Sequence, residues 1–232
     1  MESKFYQADE HRAEKVRELF TTIARRYDLL NDIMSAGLHR RWKRRLVELA
    51  GAPRDVLDLC CGTGDIALRF RARVVGVDFT EEMLRVAAAR GGSAISWIRA
   101  DALRLPFPDN SFDAVSVGYG LRNLADLEQG VREIRRVLRP GGKFVSLDFG
   151  KPESAMVRVL YFGYLRTVLP ILGRLFCGDP DTHGYVLASL ENYPAQRGTK
   201  ELMESQGYHD CGFEEFWLGS MAINYGVKPD RD

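Results

Sequence analysis

The stretch VLDLCCGTGD, residues 56–65, sets four residues of strand character against two cysteines, a Gly-Thr-Gly turn and an acid. A strand running straight into glycines is where an open α/β sheet carries its ligand loop, so the chemistry of this loop decides the reading. Zinc sites space paired cysteines by two to four residues, whereas Cys60 and Cys61 are neighbours whose side chains diverge. His39, His183 and Cys177 lie in unrelated segments. No metal is expected, and the cysteines read as small residues packed beneath a tight turn. A phosphate cradle needs either a lysine closing a longer loop or a third glycine, yet Gly62-Thr63-Gly64 continues as Asp65-Ile66-Ala67. Asp65 would set a carboxylate where a pyrophosphate should sit. The loop suits a ligand bearing positive charge, or amine and hydroxyl donors.

Outward from this loop the pattern alternates. DVLDLC (55–60), RVVGVD (73–78), AISWIRAD (94–101), FDAVSVGYG (112–120) and KFVSLDFG (143–150) read as strands. GDIALRFRA (64–72), TEEMLRVAAAR (80–90) and LADLEQGVREIRRVL (124–138) read as helices, the second capped by Thr80 and the third ended by RPGG. Apolar strands alternating with helices predict a parallel sheet covered on both faces. Helices EKVRELFTTIARRYDLLNDIM (14–34) and HRRWKRRLVELAG (39–51) precede this core, and YHDCGFEEFW (208–217) and MAINYGV (221–227) could finish the sheet with an antiparallel edge.

Acids stand at the carboxyl ends of these strands. Asp78 ends the second, where a carboxylate can accept from both hydroxyls of a ribose. Asp101, with Ala102 beside it, is placed to accept from an adenine amino group, and Asp58 and Asp65 frame the glycine turn. Singly each has a structural alternative: Asp78 could precede a helix cap, and Asp101 could close a turn.

The bulk properties exclude several classes. The 232 residues are 45% hydrophobic and 28% charged with a formal charge of +1, so nothing pulls the chain globally toward nucleic acid or membrane. The first fifteen residues are polar and charged, unlike a secretory leader, and four cysteines do not make a disulfide framework. A reduced, cytoplasmic protein is expected. Residues 155–176 are strongly apolar, but Arg158, Arg166, Arg174 and Pro170 argue against a membrane span.

The glycine loop, Asp78, ADALRLPFPDNSFDAV (100–115) and VLRPGGKFVSLDF (137–149) together resemble the class I methyltransferases. The resemblance implies S-adenosylmethionine as methyl donor and S-adenosylhomocysteine as product, held by Asp58, Gly62, Thr63, Gly64, Asp78, Asp101 and Ala102. It also implies a Rossmann-like α/β fold with a mainly parallel seven-stranded sheet. On that pattern, residues 1–51 form a helical cap, 52–150 the cofactor core, 151–206 a helical insertion on the substrate side and 207–232 the terminal strands, within one domain.

The flanks are similar to the ubiquinone/menaquinone biosynthesis C-methyltransferases, through RYDLLNDIMSAGLHRRWKR (26–44), GYGLRNLAD (118–126) and the region 164–194. Tyr27, Asp28, Asn31, Ser35, His39 and Trp42 carry that family's motif before the core. One departure is Asp148, where the family usually has Glu at the end of the fifth strand. The resemblance implies C-methylation of a reduced polyprenyl quinone, with 2-demethylmenaquinol favoured by the paired cysteines. The ubiquinone-branch benzoquinol, another small molecule and nucleic acid are the alternatives. A phenol titrates near pH 10, so a base or fixed charge must help it ionise. Arg122 and Asn123 are candidates for stabilising the phenolate, Tyr119 for stacking or donating, and His39 and Tyr27 for the base. The expected partners are the quinol and, peripherally, the inner membrane face, with a homodimer open and no nucleic acid.

Overall fold

The computed structural model of the chain describes residues 34–177 and 181–230, preceded by residues 14, 17, 18, 20, 21, 31 and 32. The expected helix over 14–34 lies largely outside the described residues, as does Tyr27; those described within it are helical. Helix α1, His39–Ala50, buries His39, Trp42, Lys43, Leu46 and Ala50, a three- and four-residue spacing that lays one stripe on the sheet. It stops at Gly51, whose positive φ lets its N–H return to the Glu48 carbonyl at 3.0 Å.

Strands β1 (Asp55–Leu59), β2 (Arg73–Asp78), β3 (Ser96–Arg99), β4 (Phe112–Gly118) and β5 (Leu138–Phe149) are parallel. Strands β6 (His209–Phe216) and β7 (Met221–Val227) complete a seven-stranded sheet in the order β3-β2-β1-β4-β5-β7-β6. Antiparallel pairing is confined to this end, where β7 runs against both β5 and β6. Helices α2 (Glu81–Gly91) and α3 (Leu127–Val137) lie among the parallel strands. Helices α4 (Ala155–Cys177), α5 (Asp181–Asn192) and α6 (Ala195–Ser205) separate β5 from β6.

The period-two alternation of the strands divides the core. Leu57, Leu59, Val115 and Val117 pack into one cluster with Val131 and Ile134 of α3. Val56, Ala114, Val145 and Leu147 face the other way, against Trp42 and Leu46 of α1.

Two expected helices are shorter. The expected helix over 64–72 is only a 3₁₀ turn, Ala67–Arg69, because Phe70 is already extended on the way into β2. Helix α3 begins at Leu127, where the Asp126 side chain accepts from the Gln129 N–H at 2.9 Å and fixes the N-cap. The RPGG segment belongs to β5, whose pairing with β4 shifts register between Phe112 and Ala114. Among the described residues, no helix is long and apolar enough to cross a membrane.

Candidate active site

A cavity opens at the carboxyl ends of β1, β2 and β4, the edge where doubly wound sheets hold ligands. Gly62, Asp78, Asp101, Ala102, Tyr119 and Asn123 line it, together with apolar residues such as Phe79, Met83 and Leu103. Gly62 has φ +53°, and an added Cβ would meet no atom within 4 Å, so this backbone borders open space. Its N–H donates to Asp78 Oδ2 at 2.8 Å, and the Thr80 N–H donates to Oδ1 at 2.8 Å. Each carboxylate oxygen keeps acceptor capacity for a ligand hydroxyl. Burial raises the Asp78 carboxyl above its usual range, opposed by these main-chain donors. Asp101 is exposed, lines the cavity and also closes a turn, accepting from the Leu103 N–H at 2.9 Å.

Two non-glycine residues at this edge are left-handed: Cys60 at φ 54° and Tyr119 at φ 59°. Such backbone costs energy unless neighbours hold it. The Tyr119 carbonyl accepts from Arg122 Nη1 at 2.7 Å and from Asn123 Nδ2 at 3.0 Å, while its N–H donates to the Leu147 carbonyl at 2.7 Å. Arg122 is ion-paired to Asp148 at 2.6 Å and lies 4.8 Å from the centroid of the Phe149 ring, with both members of the pair buried. Asn123 Oδ1 accepts from the Tyr185 hydroxyl at 2.7 Å.

Tyr119 is also a wall of a second cavity. Aromatic residues dominate that lining: Trp42, Phe149, Tyr161, Tyr164 and Trp217. Asn31, Ser35 and His39 are its polar members from the helical cap. His39 Nε2 meets Asp32 Oδ1 at 2.8 Å, and Asp32 also accepts from Arg40 at 2.6 Å. Desolvation lowers the His39 pKa, against the opposing pull of Asp32, which favours a neutral imidazole. Among the described residues, His39 Nδ1 and Asn31 Nδ2 are buried without a hydrogen-bond partner. A buried acceptor and a buried donor bordering one apolar cavity are together suited to a hydroxyl that donates to the first and accepts from the second.

Five residues expected at the site line neither cavity. Asp58 shares the face of Val56 and is fully buried, accepting from Ser116 Oγ at 2.6 Å and the Ala67 N–H at 3.0 Å. It does not line the cavity. Thr63 is buried, and Gly64 packs on Trp97, where an added Cβ would approach to 2.5 Å. Asp65 turns away from the cavity to Lys43 at 2.8 Å and Arg69 at 3.0 Å. Arg122 lines neither cavity, because Asp148 and the Tyr119 carbonyl take its guanidinium.

Sequence reasoning passed over Lys43, Asp32 and the contact of Cys60 with the cavity. Lys43 follows His39 by four residues on the buried stripe, a signal present in the sequence.

Asp58 supplies a pH test. Its carboxyl is pushed from an ordinary 3.8 up to about 7 by complete burial. Between those values the folded chain retains a proton that the unfolded chain has lost, so stability falls as pH rises through the window. The slope from this group reaches about 1.4 kcal/mol per pH unit. Asp58→Asn keeps an acceptor for Ala67 and a donor for Ser116, so urea melts from pH 4.5 to 7.5 are expected to lose this share of the slope. An unaltered slope would mean that Asp58 is ionised in the fold.

The sheet order and the ligand edge define a class I methyltransferase fold. A SAM-dependent methyltransferase from Thermotoga maritima superposes with a TM-score of 0.68 at 18% identity, covering 91% of this chain and 99% of that one. Phosphoethanolamine N-methyltransferase 2 of Haemonchus contortus, solved with S-adenosyl-L-methionine, gives 0.58 at 19% identity, covering 82% and 52%. Residues 7–228 match the ubiE/COQ5 methyltransferase family, and the chain belongs to it. Ubiquinone/menaquinone biosynthesis C-methyltransferase UbiE from Pseudomonas fluorescens is 38% identical over 95% of this chain and 91% of its own length. The enzyme of the same name from Azotobacter vinelandii is 38% identical over 95% and 92%. The methyl donor is S-adenosylmethionine, and the cavity fits it: open backbone at Gly62, an acid at Asp78 and apolar walls between.

Proposed function

We infer that the protein methylates a ring carbon of a reduced polyprenyl quinone, and that its preferred acceptor is 2-demethylmenaquinol. The observation that carries this reading is the aromatic cavity with the orphaned His39 Nδ1 and Asn31 Nδ2, sharing Tyr119 with the Asp78 cavity. Bound S-adenosylmethionine supplies an electrophilic methyl on a sulfonium. Asp78 and the Gly62 backbone would hold its ribose end, and Asp101 and Ala102 would border its base.

Asp32 keeps the Nε2 proton of His39 in place, leaving Nδ1 as acceptor. His39 takes the proton of the quinol hydroxyl, Asn31 donates to the oxygen, and the adjacent ring carbon becomes nucleophilic. A new carbon–carbon bond forms as the sulfur–methyl bond breaks. The methylated carbon then loses its hydrogen as a proton, restoring the aromatic ring. Tyr119, held left-handed by Arg122 and Asn123, orients the acceptor ring, so Arg122 is a positioning residue. The extent of the aromatic lining supports a fused bicyclic acceptor over a methoxy-substituted single ring.

Competition between short-tailed 2-demethylmenaquinol and the methoxybenzoquinol of the ubiquinone branch tests the acceptor, read as kcat/KM for each. We expect the naphthoquinol to win; preference for the benzoquinol would reverse the assignment.

Asp78→Ala removes an acceptor of two ribose hydroxyls and is expected to weaken S-adenosylhomocysteine binding by about ten- to a hundredfold. Calorimetry reads this, and an unchanged Kd in the folded variant would take Asp78 out of the site.

A further inference from the structure

Helix α4 turns an unusual side to solvent. Met156, Val159 and Leu160 are each about 70% exposed or more, at 72%, 72% and 69%, and Ile171 follows at 59%. Their spacing places them on one face, opposite Leu165, which is 2% exposed. Tyr161 ties this helix to the turn between β6 and β7, its hydroxyl donating to the Ser220 carbonyl at 3.3 Å. At the tip of that turn Trp217 and Leu218 are both left-handed and both exposed. Among the described residues, seven of the nine exposed large apolar ones lie on α4 and this turn. Singly exposed apolar residues need no explanation, but a contiguous patch does.

Two further features say what covers the patch. Tyr164 and Trp217 are half-exposed and also wall the aromatic cavity, so that cavity borders apolar surface. The other flank of α4 carries Arg158 and Arg166, which join Lys151 and Arg197 around a surface cleft containing only two carboxylates, Glu153 and Glu191. Arg158 is turned onto the Pro152 and Glu153 carbonyls and Arg166 pairs loosely with Glu191 at 3.4 Å, leaving the flank net positive. Apolar side chains at a tip and along a helix, an interfacial tryptophan and a basic flank are the elements of a surface that lies in the headgroup layer of an anionic bilayer.

The geometry points to a lipid-docking surface formed by the outer face of α4 and the Trp217–Leu218 tip, seating the aromatic cavity against an anionic phospholipid bilayer. It rests on the quinol reading, since an isoprenoid tail leaving that cavity then passes directly into acyl chains. The tip inserts, α4 lies along the interface, and the arginines meet lipid phosphates.

Sedimentation with vesicles of phosphatidylglycerol and phosphatidylcholine, without substrate, tests this. The triple variant Val159→Ser, Leu160→Ser, Leu218→Ser changes only exposed side chains outside both cavities. We expect it to bind vesicles at least about tenfold more weakly than wild type, because three apolar insertions are lost. Wild-type binding should also weaken with salt and with neutral lipid. On vesicle-embedded long-tailed quinol the variant should lose activity in proportion, while its rate on a short-tailed soluble quinol stays at the wild-type level. Absence of wild-type vesicle binding overturns the proposal. So does a wild-type dimer that the triple variant makes monomeric, since a second copy would then cover the patch. Failure of wild type to methylate the short-tailed quinol instead sinks the acceptor assignment, whatever the vesicles show.

Discussion

Replacing His39 with Gln is expected to lower the single-turnover rate of methyl transfer by about 10²- to 10⁴-fold, the usual worth of a positioned base. Affinity for S-adenosylhomocysteine should change little, because His39 lines the aromatic cavity and not the one containing Asp78. The pH profile separates a base from a structural residue. Wild-type activity should fall on the acid side as His39 takes up a proton, at a pH below the ordinary imidazole value because desolvation lowers its pKa. His39→Gln should lose that acid limb and regain activity at high pH, where the quinol ionises unaided. A variant that keeps the limb and a near-normal rate removes His39 from the chemistry and leaves Asn31 facing a ligand whose proton goes elsewhere.

The largest loss of stability should follow Arg122→Met. The Arg122–Asp148 pair is buried, and removing one member leaves the other charge uncompensated, at a cost of about 3–5 kcal/mol. The variant also releases the Tyr119 carbonyl, so melting temperature and turnover should drop together. Adding Asp148→Asn removes the stranded carboxylate and should recover a good part of the stability. Turnover should recover much less, since one of the hydrogen bonds holding Tyr119 left-handed is still missing. Equal recovery of both would reduce Arg122 to a core ion pair with no bearing on Tyr119.

How the sequence could be read, and where it misled, follows from which interactions are local. The strand–loop–helix alternation depends on nearest neighbours, so VLDLC, RVVGVD and MAINYGV read correctly as strands, and the acids at their ends fall at one edge. The direction in which a side chain points is less local. Asp58 and Asp78 look alike as acids in strands, but Asp58 lies one residue before the end of β1, on the α1 face, and pairs with Ser116 across to β4. That pairing spans 58 residues and is invisible in a motif.

Arg122 likewise takes a partner that the local sequence does not show. Its nearby acid in sequence, Asp126, is used to cap α3, while the buried partner Asp148 comes from another strand. Asp148 also marked the chain's departure from its family pattern, and the shorter acid reaches Arg122 at 2.6 Å without difficulty. The cap was legible only in part. The family-like spacing singled out Asn31, Ser35, His39 and Trp42, and Ser35 proves to anchor the turn, its hydroxyl donating to the Asn31 carbonyl and accepting from the His39 N–H. That Asp32 orients the imidazole depends on side-chain geometry across seven residues and could not be read from spacing.

Lys43 stands between Arg41 and Arg44, which are exposed, yet is itself buried. Its place on the His39–Trp42–Leu46 stripe puts it in the interior, where Asp65 receives it and the Tyr119 ring lies 5.8 Å away. Helix α1 is thereby tied to the glycine loop and to the residue shared by both cavities.

The two cavities sharing Tyr119 are proposed to bring a sulfonium methyl to a quinol ring carbon. The most direct measurement is carbon NMR of the product formed from S-adenosylmethionine labelled with ¹³C in its methyl group and short-tailed 2-demethylmenaquinol. The account predicts a single labelled methyl bonded to ring carbon 2, the position demethylmenaquinol leaves bare, with the label absent from both ring oxygens. Label on an oxygen, or no transfer to this acceptor by the folded enzyme with S-adenosylmethionine bound, would contradict it.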